Sequence, residues 1–298
     1  IKTFEYYMIF SIENDYVKAT VNQKGAELSS YINKENGINY LWKGDATYWG
    51  KHAPVLFPVI GKVTNDSIKV EGEVYPMTKH GFARDTNFEL RKQTLNSLEF
   101  VIVSNEESKK SYPFDFEFVV KYTLSEKTVI TSFAVKNTGK TPLPFSVGGH
   151  PAFACPVNEE GNLNDCYLEF NEEENADNVL LNPSTGFRNG ELERGYLQGK
   201  KLTLHNDIFK NDALVFFNLK SSEITIKSHS NPHQLKFSFE GFPQFGIWAP
   251  VGAPFVCLEP WAGVCDEAGY NGEFKDRFAT VEVEPNHLYL CSYSMEGK

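Results

Sequence analysis

A large all-β sandwich is the fold this sequence predicts, and three observations point to it. Short apolar runs, about twenty of them, are separated by Asn, Gly, Asp and Pro turn signals. Residues that favour pleated surfaces are abundant, with 24 Phe and 14 Tyr among 298 residues. No stretch carries the sustained 3.6-residue periodicity of a long amphipathic helix. The sequence shows no repeat and no obvious linker, so a single domain over residues 8–298 is expected.

In chain order, residues 16–21, 28–32 and 38–42 have hairpin or meander texture. Residues 54–63 form an apolar run bracketed by Pro54 and Pro58 and closed by Gly61 and Lys62; an apolar strand with a solvated lysine at its end is the plain reading. Residues 67–74 read as a small hairpin. Residues 98–104, 116–124 and 129–135 read as strands, with Phe116, Phe118, Val120, Tyr122 and Leu124 sharing one face. A turn is expected over 137–144. Residues 158–178 are acidic and Asn-rich, which predicts a long exposed loop. Strands are then expected at 214–219, 223–227, 235–239, 242–248, 255–263, 280–284 and 289–293. Met8 reads as a natural start, with residues 1–7 an upstream remnant.

Composition excludes several classes of function. The formal net charge of −10 argues against a phosphate-backbone partner, so no nucleic acid is expected. The longest weakly charged run, 246–265, is broken by Pro250, Pro254, Pro260 and Glu259, which argues against a membrane span. Five cysteines without a C-x-x-C pair predict free thiols in a reducing compartment, and with no secretory signal pattern a cytoplasmic location is expected. His229 and His233 are four apart, but Pro232 breaks the helix that a zincin spacing needs, and no P-loop, dinucleotide fingerprint or serine-nucleophile elbow occurs.

Four short motifs carry chemistry. In Gly148-Gly149-His150-Pro151-Ala152-Phe153 two glycines allow a close approach by a ligand, and Pro151 restricts the backbone of His150. A turn histidine that is merely hydrogen-bonded is the alternative. Lys79-His80-Gly81-Phe82-Ala83-Arg84 sets a second histidine beside a glycine among basic neighbours. Asp212, in Asn211-Asp212-Ala213, precedes an apolar strand, where an aspartate is commonly a turn former. Leu258-Glu259-Pro260-Trp261 ends an apolar strand with a carboxylate, which is costly to bury unless it is paired. A structural salt bridge and a catalytic carboxyl of raised pKa are its two readings.

Together, and in this order, the four motifs resemble those of the aldose 1-epimerase (galactose mutarotase) superfamily, and their wording its LacX-like branch. The likeness runs from about Met8 to Glu296, with GGHPAF and LEPWAG its most specific pieces. It implies a large antiparallel β-sandwich of the galactose mutarotase-like supersandwich type, and interconversion of sugar anomers without cofactor or metal. It implies Glu259 as general base, His150 as general acid, and His80 and Asp212 as sugar-binding groups. Lys62 stands where the mutarotases proper carry an arginine, and lysine lacks arginine's planar fork. Arg84 departs from the free-hexose enzymes, so Lys51, Lys62 and Arg84 together are candidates to accept a phosphate. The expected partner is a hexose or hexose phosphate, and a homodimer is compatible with the sequence. A non-catalytic carbohydrate-binding protein on the same fold is the alternative function. Trp49, Trp248 or Trp261 is expected to wall the sugar.

Overall fold

The computed structural model describes residues 8–158 and 161–298, so the expectation about residues 1–7 lies outside the described residues. Two antiparallel sheets face each other. The larger has nine strands in the order Arg188–Thr203, Cys166–Leu181, Glu223–Ser228, Leu235–Ser238, Leu288–Gly297, Thr128–Asn137, Phe116–Ser125, Ser97–Val103 and Glu89–Gln93. The smaller runs Leu214–Phe217, Gln244–Trp248, Phe255–Ala262, Val147–Gly149 and Val55–Leu56, with Ala152–Ala154 also paired to Phe255–Ala262. The sheet Ile9–Glu13, Val17–Asn22 and Glu27–Asn33 closes one side, where Phe10 meets Phe100 edge-on at 5.5 Å.

Alternation explains why these strands pack as they do. Phe116, Phe118, Val120, Tyr122 and Leu124 are all buried, as the two-residue period predicts. Aromatic rings then join the two sheets. Phe57 stacks on Phe118 at 4.5 Å, and Phe237 meets Phe153 at 5.6 Å and Phe245 at 6.2 Å. Such pairs add stability beyond the area they remove from water. The longest α-helix among the described residues, Glu106–Lys109, has four residues, and no helix is long and apolar enough to cross a membrane.

Three expectations need correction. The acidic segment is not a long loop: Cys166–Leu181 is a sixteen-residue strand paired with Arg188–Thr203 and Glu223–Ser228. Its register shifts between Glu169 and Glu174, so the exposed Asn171, Glu172 and Glu173 occupy a bulge. Glu174 itself turns inward, where its carboxylate accepts the Ser221 N–H at 2.7 Å. Residues 38–42 make isolated bridges, Asn39 to Ile32 and Leu41 to Phe153, rather than a strand. In 54–63 the strand is confined to Val55–Leu56, because Pro58 offers no N–H to extend the ladder.

Candidate active site

His150 and Glu259 meet because one strand serves two partners. Phe255–Ala262 pairs with Val147–Gly149 at its C-terminal end, Gly148 opposite Trp261, and with Ala152–Ala154 at its N-terminal end, Ala152 opposite Cys257. Between these pairings His150-Pro151 crosses beside Leu258–Pro260. The Leu258 N–H donates to Pro151 O at 3.1 Å, and the His150 N–H donates to Pro54 O at 3.0 Å. The outcome is His150 Nε2 at 3.2 Å from Glu259 Oε2, with both residues buried.

The two glycines before His150 act differently from the sequence expectation. Neither has a positive φ; each makes room for protein rather than for a ligand. A Cβ on Gly148 would lie 2.6 Å from Pro260 O, and one on Gly149 2.6 Å from the Tyr293 ring. Close strand packing is what they permit.

His80 is fixed by the turn 78–81. It takes φ +67°, its N–H donates to Gly61 O at 2.9 Å, and Gly61 N–H donates back to His80 Nδ1 at 3.1 Å. Nδ1 is therefore the acceptor, so the proton of the neutral ring sits on Nε2. Gly81, at φ +74°, passes so near Phe57 that a Cβ there would overlap its carbonyl oxygen. Only glycine fits that approach.

A cavity of about 730 Å³, counting its solvent-open mouth, is lined by His150, Glu259, His80, Asp212, Arg84 and Lys79 among its polar groups. Trp49, Trp248 and Trp261 all line it. Trp49 stacks on His150 at 4.9 Å, and Trp248 meets the same imidazole edge-on at 5.7 Å. The structure thus brings together His150, Glu259, His80, Asp212 and Arg84. It does not bring Lys62 into the lining: its ammonium faces Asp66 at 3.9 Å. Lys51 pairs with Asp85 at 3.3 Å, and Arg84 lies 3.5 Å from the same carboxylate. Lys79 is the cavity group the sequence reasoning passed over; its place immediately before His80 was the available signal.

Electrostatics separates the central pair. Burial pushes the Glu259 carboxyl well above the usual carboxylate range, against the opposing pull of Lys79 and with the support of Asp212. Burial pulls His150 down to about 3, and Lys79 and Arg84 add to the shift. His80 is lowered for the same first reason, with His150, Lys79 and Arg84 contributing. His150 Nδ1 has no hydrogen-bond partner, and Glu259 Oε2, 3.2 Å from His150 Nε2, accepts no hydrogen bond of good geometry. A buried carboxyl oxygen beside a buried imidazole, at the wall of a cavity, is an arrangement that burial disfavours and that proton transfer to a ligand can use.

The aldose 1-epimerase family profile matches residues 8–274. The plasmid-encoded and chromosomal forms of protein LacX from Lactococcus lactis subsp. lactis are each 33% identical over 297 residues, covering 97% of this chain and 99% of theirs. A galactose mutarotase related enzyme from Lactobacillus acidophilus superposes with a TM-score of 0.89 at 30% identity, covering 98% of this chain and 97% of its own. A galactose mutarotase-like protein from Lactobacillus casei ATCC 334 gives 0.91 at 30% identity, covering 98% and 100%.

Proposed function

The chain belongs to the aldose 1-epimerase family, and from that premise we propose that it interconverts the α and β anomers of a free aldose or aldose phosphate, Glu259 and His150 moving the protons. The observation that carries this reading is the buried 3.2 Å approach of His150 Nε2 to Glu259 Oε2 at the wall of the cavity.

The pair holds one proton in total. In the empty site burial holds that proton on Glu259; when the sugar binds it passes to His150, leaving Glu259 ionised and steadied by Lys79 and by the sugar hydroxyls that replace water. Glu259 takes the proton of the C1 hydroxyl while His150 gives its proton to the ring oxygen. The C1–O5 bond breaks and an open-chain aldehyde remains. Glu259 is now a neutral carboxylic acid and His150 a neutral imidazole, which is the distribution burial favours. Ring opening therefore discharges the pair, so the low dielectric of the site assists the difficult direction. Rotation about C1–C2 and reclosure return both protons and invert the anomer.

His80 offers Nε2–H to a sugar oxygen, Asp212 accepts from a hydroxyl, and the indoles cover the apolar face of the ring. Lys79 and Arg84 supply positive charge for a phosphate, while Lys62 stands behind the rim.

Polarimetry on freshly dissolved α-D-glucose and α-D-galactose tests the reading. Accelerated relaxation that disappears in Glu259→Gln, with the fold retained, is the expected result. His150→Asn should lose about 10²–10⁴-fold, the usual contribution of a positioned acid or base. Acceleration confined to hexose 6-phosphates, read by NMR anomer exchange, would assign the phosphorylated substrate. Saturable sugar binding with no anomerisation of either kind would overturn the reading in favour of a binding protein.

A further inference from the structure

Cys257 has no part in the mechanism above, yet it stands two residues before Glu259 on the same face of Phe255–Ala262. It also pairs across the ladder with Ala152, two residues beyond His150. One donor atom from each of His150, Cys257 and Glu259 lies within 4.8 Å of the other two, and all three residues are buried. A second observation points the same way. Glu259 is only 2% exposed, and its Oε2, 3.2 Å from His150 Nε2, accepts no hydrogen bond of good geometry. A cation placed among these three groups would supply that missing partner.

We propose that His150, Cys257 and Glu259 form a capture site for a thiophilic divalent cation, Zn²⁺ above all, whose binding closes the sugar site. One sulfur, one imidazole nitrogen and one carboxylate oxygen make a donor set that suits zinc and disfavours Mg²⁺ or Ca²⁺. Metal–ligand bonds of about 2.0–2.3 Å set tetrahedral ligand atoms roughly 3.3–3.8 Å apart. His150 and Glu259 line the cavity, so a cation held there would have room for water as its fourth ligand. The cation takes the places of the thiol proton and the carboxyl proton, which leave as it binds. The ion is an inhibitor in this scheme, not a cofactor, because it occupies the two groups that move protons. Closure of the site rests on the proposed anomerase reading; binding of the metal does not.

The test starts from chelator-treated protein. Co²⁺ added in place of Zn²⁺ should give a thiolate-to-cobalt charge-transfer band that is absent from Cys257→Ala and is displaced by Zn²⁺. Absence of this band in the wild type overturns the proposal, whatever the protein does to sugars. Zn²⁺ should also inhibit mutarotation of the wild type at concentrations at least about tenfold below those needed for Cys257→Ala. Equal inhibition of the two proteins would put the metal elsewhere and overturn the proposal. Should Cys257→Ala fail to fold, Glu259→Gln provides the second arm: calorimetric Zn²⁺ affinity is expected to fall by about tenfold or more, and unchanged affinity overturns the proposal. A wild type that binds Co²⁺ through sulfur but turns over no sugar would sustain the metal site while overturning the catalytic reading.

Discussion

At Glu259 the chain buries a carboxyl that stays protonated well above the pH at which a free glutamate ionises. The folded state holds this proton where the unfolded chain has released it, so the Glu259 contribution to stability is complete below about pH 4.5 and declines as pH rises toward the folded value. Glu259→Gln keeps the shape and removes the titration. It should abolish turnover yet unfold at a higher temperature than wild type at pH 8, the gap closing near pH 4, as read by thermal denaturation. Each kcal/mol so released is worth roughly 2 °C of Tm in a chain of this size. His150 works in the opposite sense. Its folded value of about 3 lies below the unfolded value of about 6.5, so its contribution is complete above pH 6.5 and is lost as pH falls toward 3. For activity, both shifts widen the range in which the pair carries one proton. The profile of kcat/KM should therefore be bell-shaped, with an acid limb well below the 6.5 of an ordinary histidine and an alkaline limb above the usual carboxylate range; the limbs belong to the pair. An acid limb near 6.5 would show that His150 titrates as if exposed.

Among the elements, the two short strands that flank His150 decide whether its imidazole reaches Glu259 at all. Gly148 lies between Leu56 and Trp261 in the ladder, and its missing side chain is what lets Pro260 approach. Gly148→Ala places a methyl group 2.6 Å from a backbone oxygen, which cannot swing aside as a flexible side chain would. The expected cost is about 1–3 kcal/mol in urea denaturation, with at least tenfold lower turnover because His150 is moved relative to Glu259. This is also where the sequence stops being fully legible. Strands such as Phe116–Ser125 were readable because alternation is a local property. The motif around His150 was readable because two glycines and a proline in four residues are unusual. That the glycines serve strand contact depends on Pro260 and Tyr293, which lie 112 and 144 residues beyond them and leave no local trace. The strand Cys166–Leu181 was hidden for a related reason: its bulge puts three solvated polar residues, Asn171, Glu172 and Glu173, in a row and breaks the two-residue period that reveals a strand.

In the whole molecule, long-range polar ties hold the cavity wall to the sandwich, and sequence gives little sign of them because their partners are distant along the chain. Arg277 Nε donates to Asp266 Oδ1 at 2.5 Å, and both side chains are 4% exposed. A second guanidinium nitrogen donates to Val264 O at 3.2 Å, and Asp266 Oδ2 accepts the Thr64 N–H at 2.8 Å. Asp266 N–H donates to Lys62 O at 3.0 Å. The pair thus fastens the segment after Trp261 to the segment that carries Gly61, whose N–H holds the ring of His80. Removing one member leaves the other charge buried without its counterpart, which typically costs about 3–5 kcal/mol, a large share of a net stability of roughly 5–15. Asp266→Asn should therefore lower the urea midpoint strongly. It should also raise KM more than it lowers kcat, because the loosened group is the proposed sugar-binding His80 and not the proton pair. Asp266→Leu combined with Arg277→Met removes both charges and should recover most of the stability, since apolar replacement of a buried pair is often neutral. It would not recover KM, because Thr64 N–H would still lack the acceptor that Asp266 provides. If the double variant restored both, the pair would be a stability element with no hold on the site.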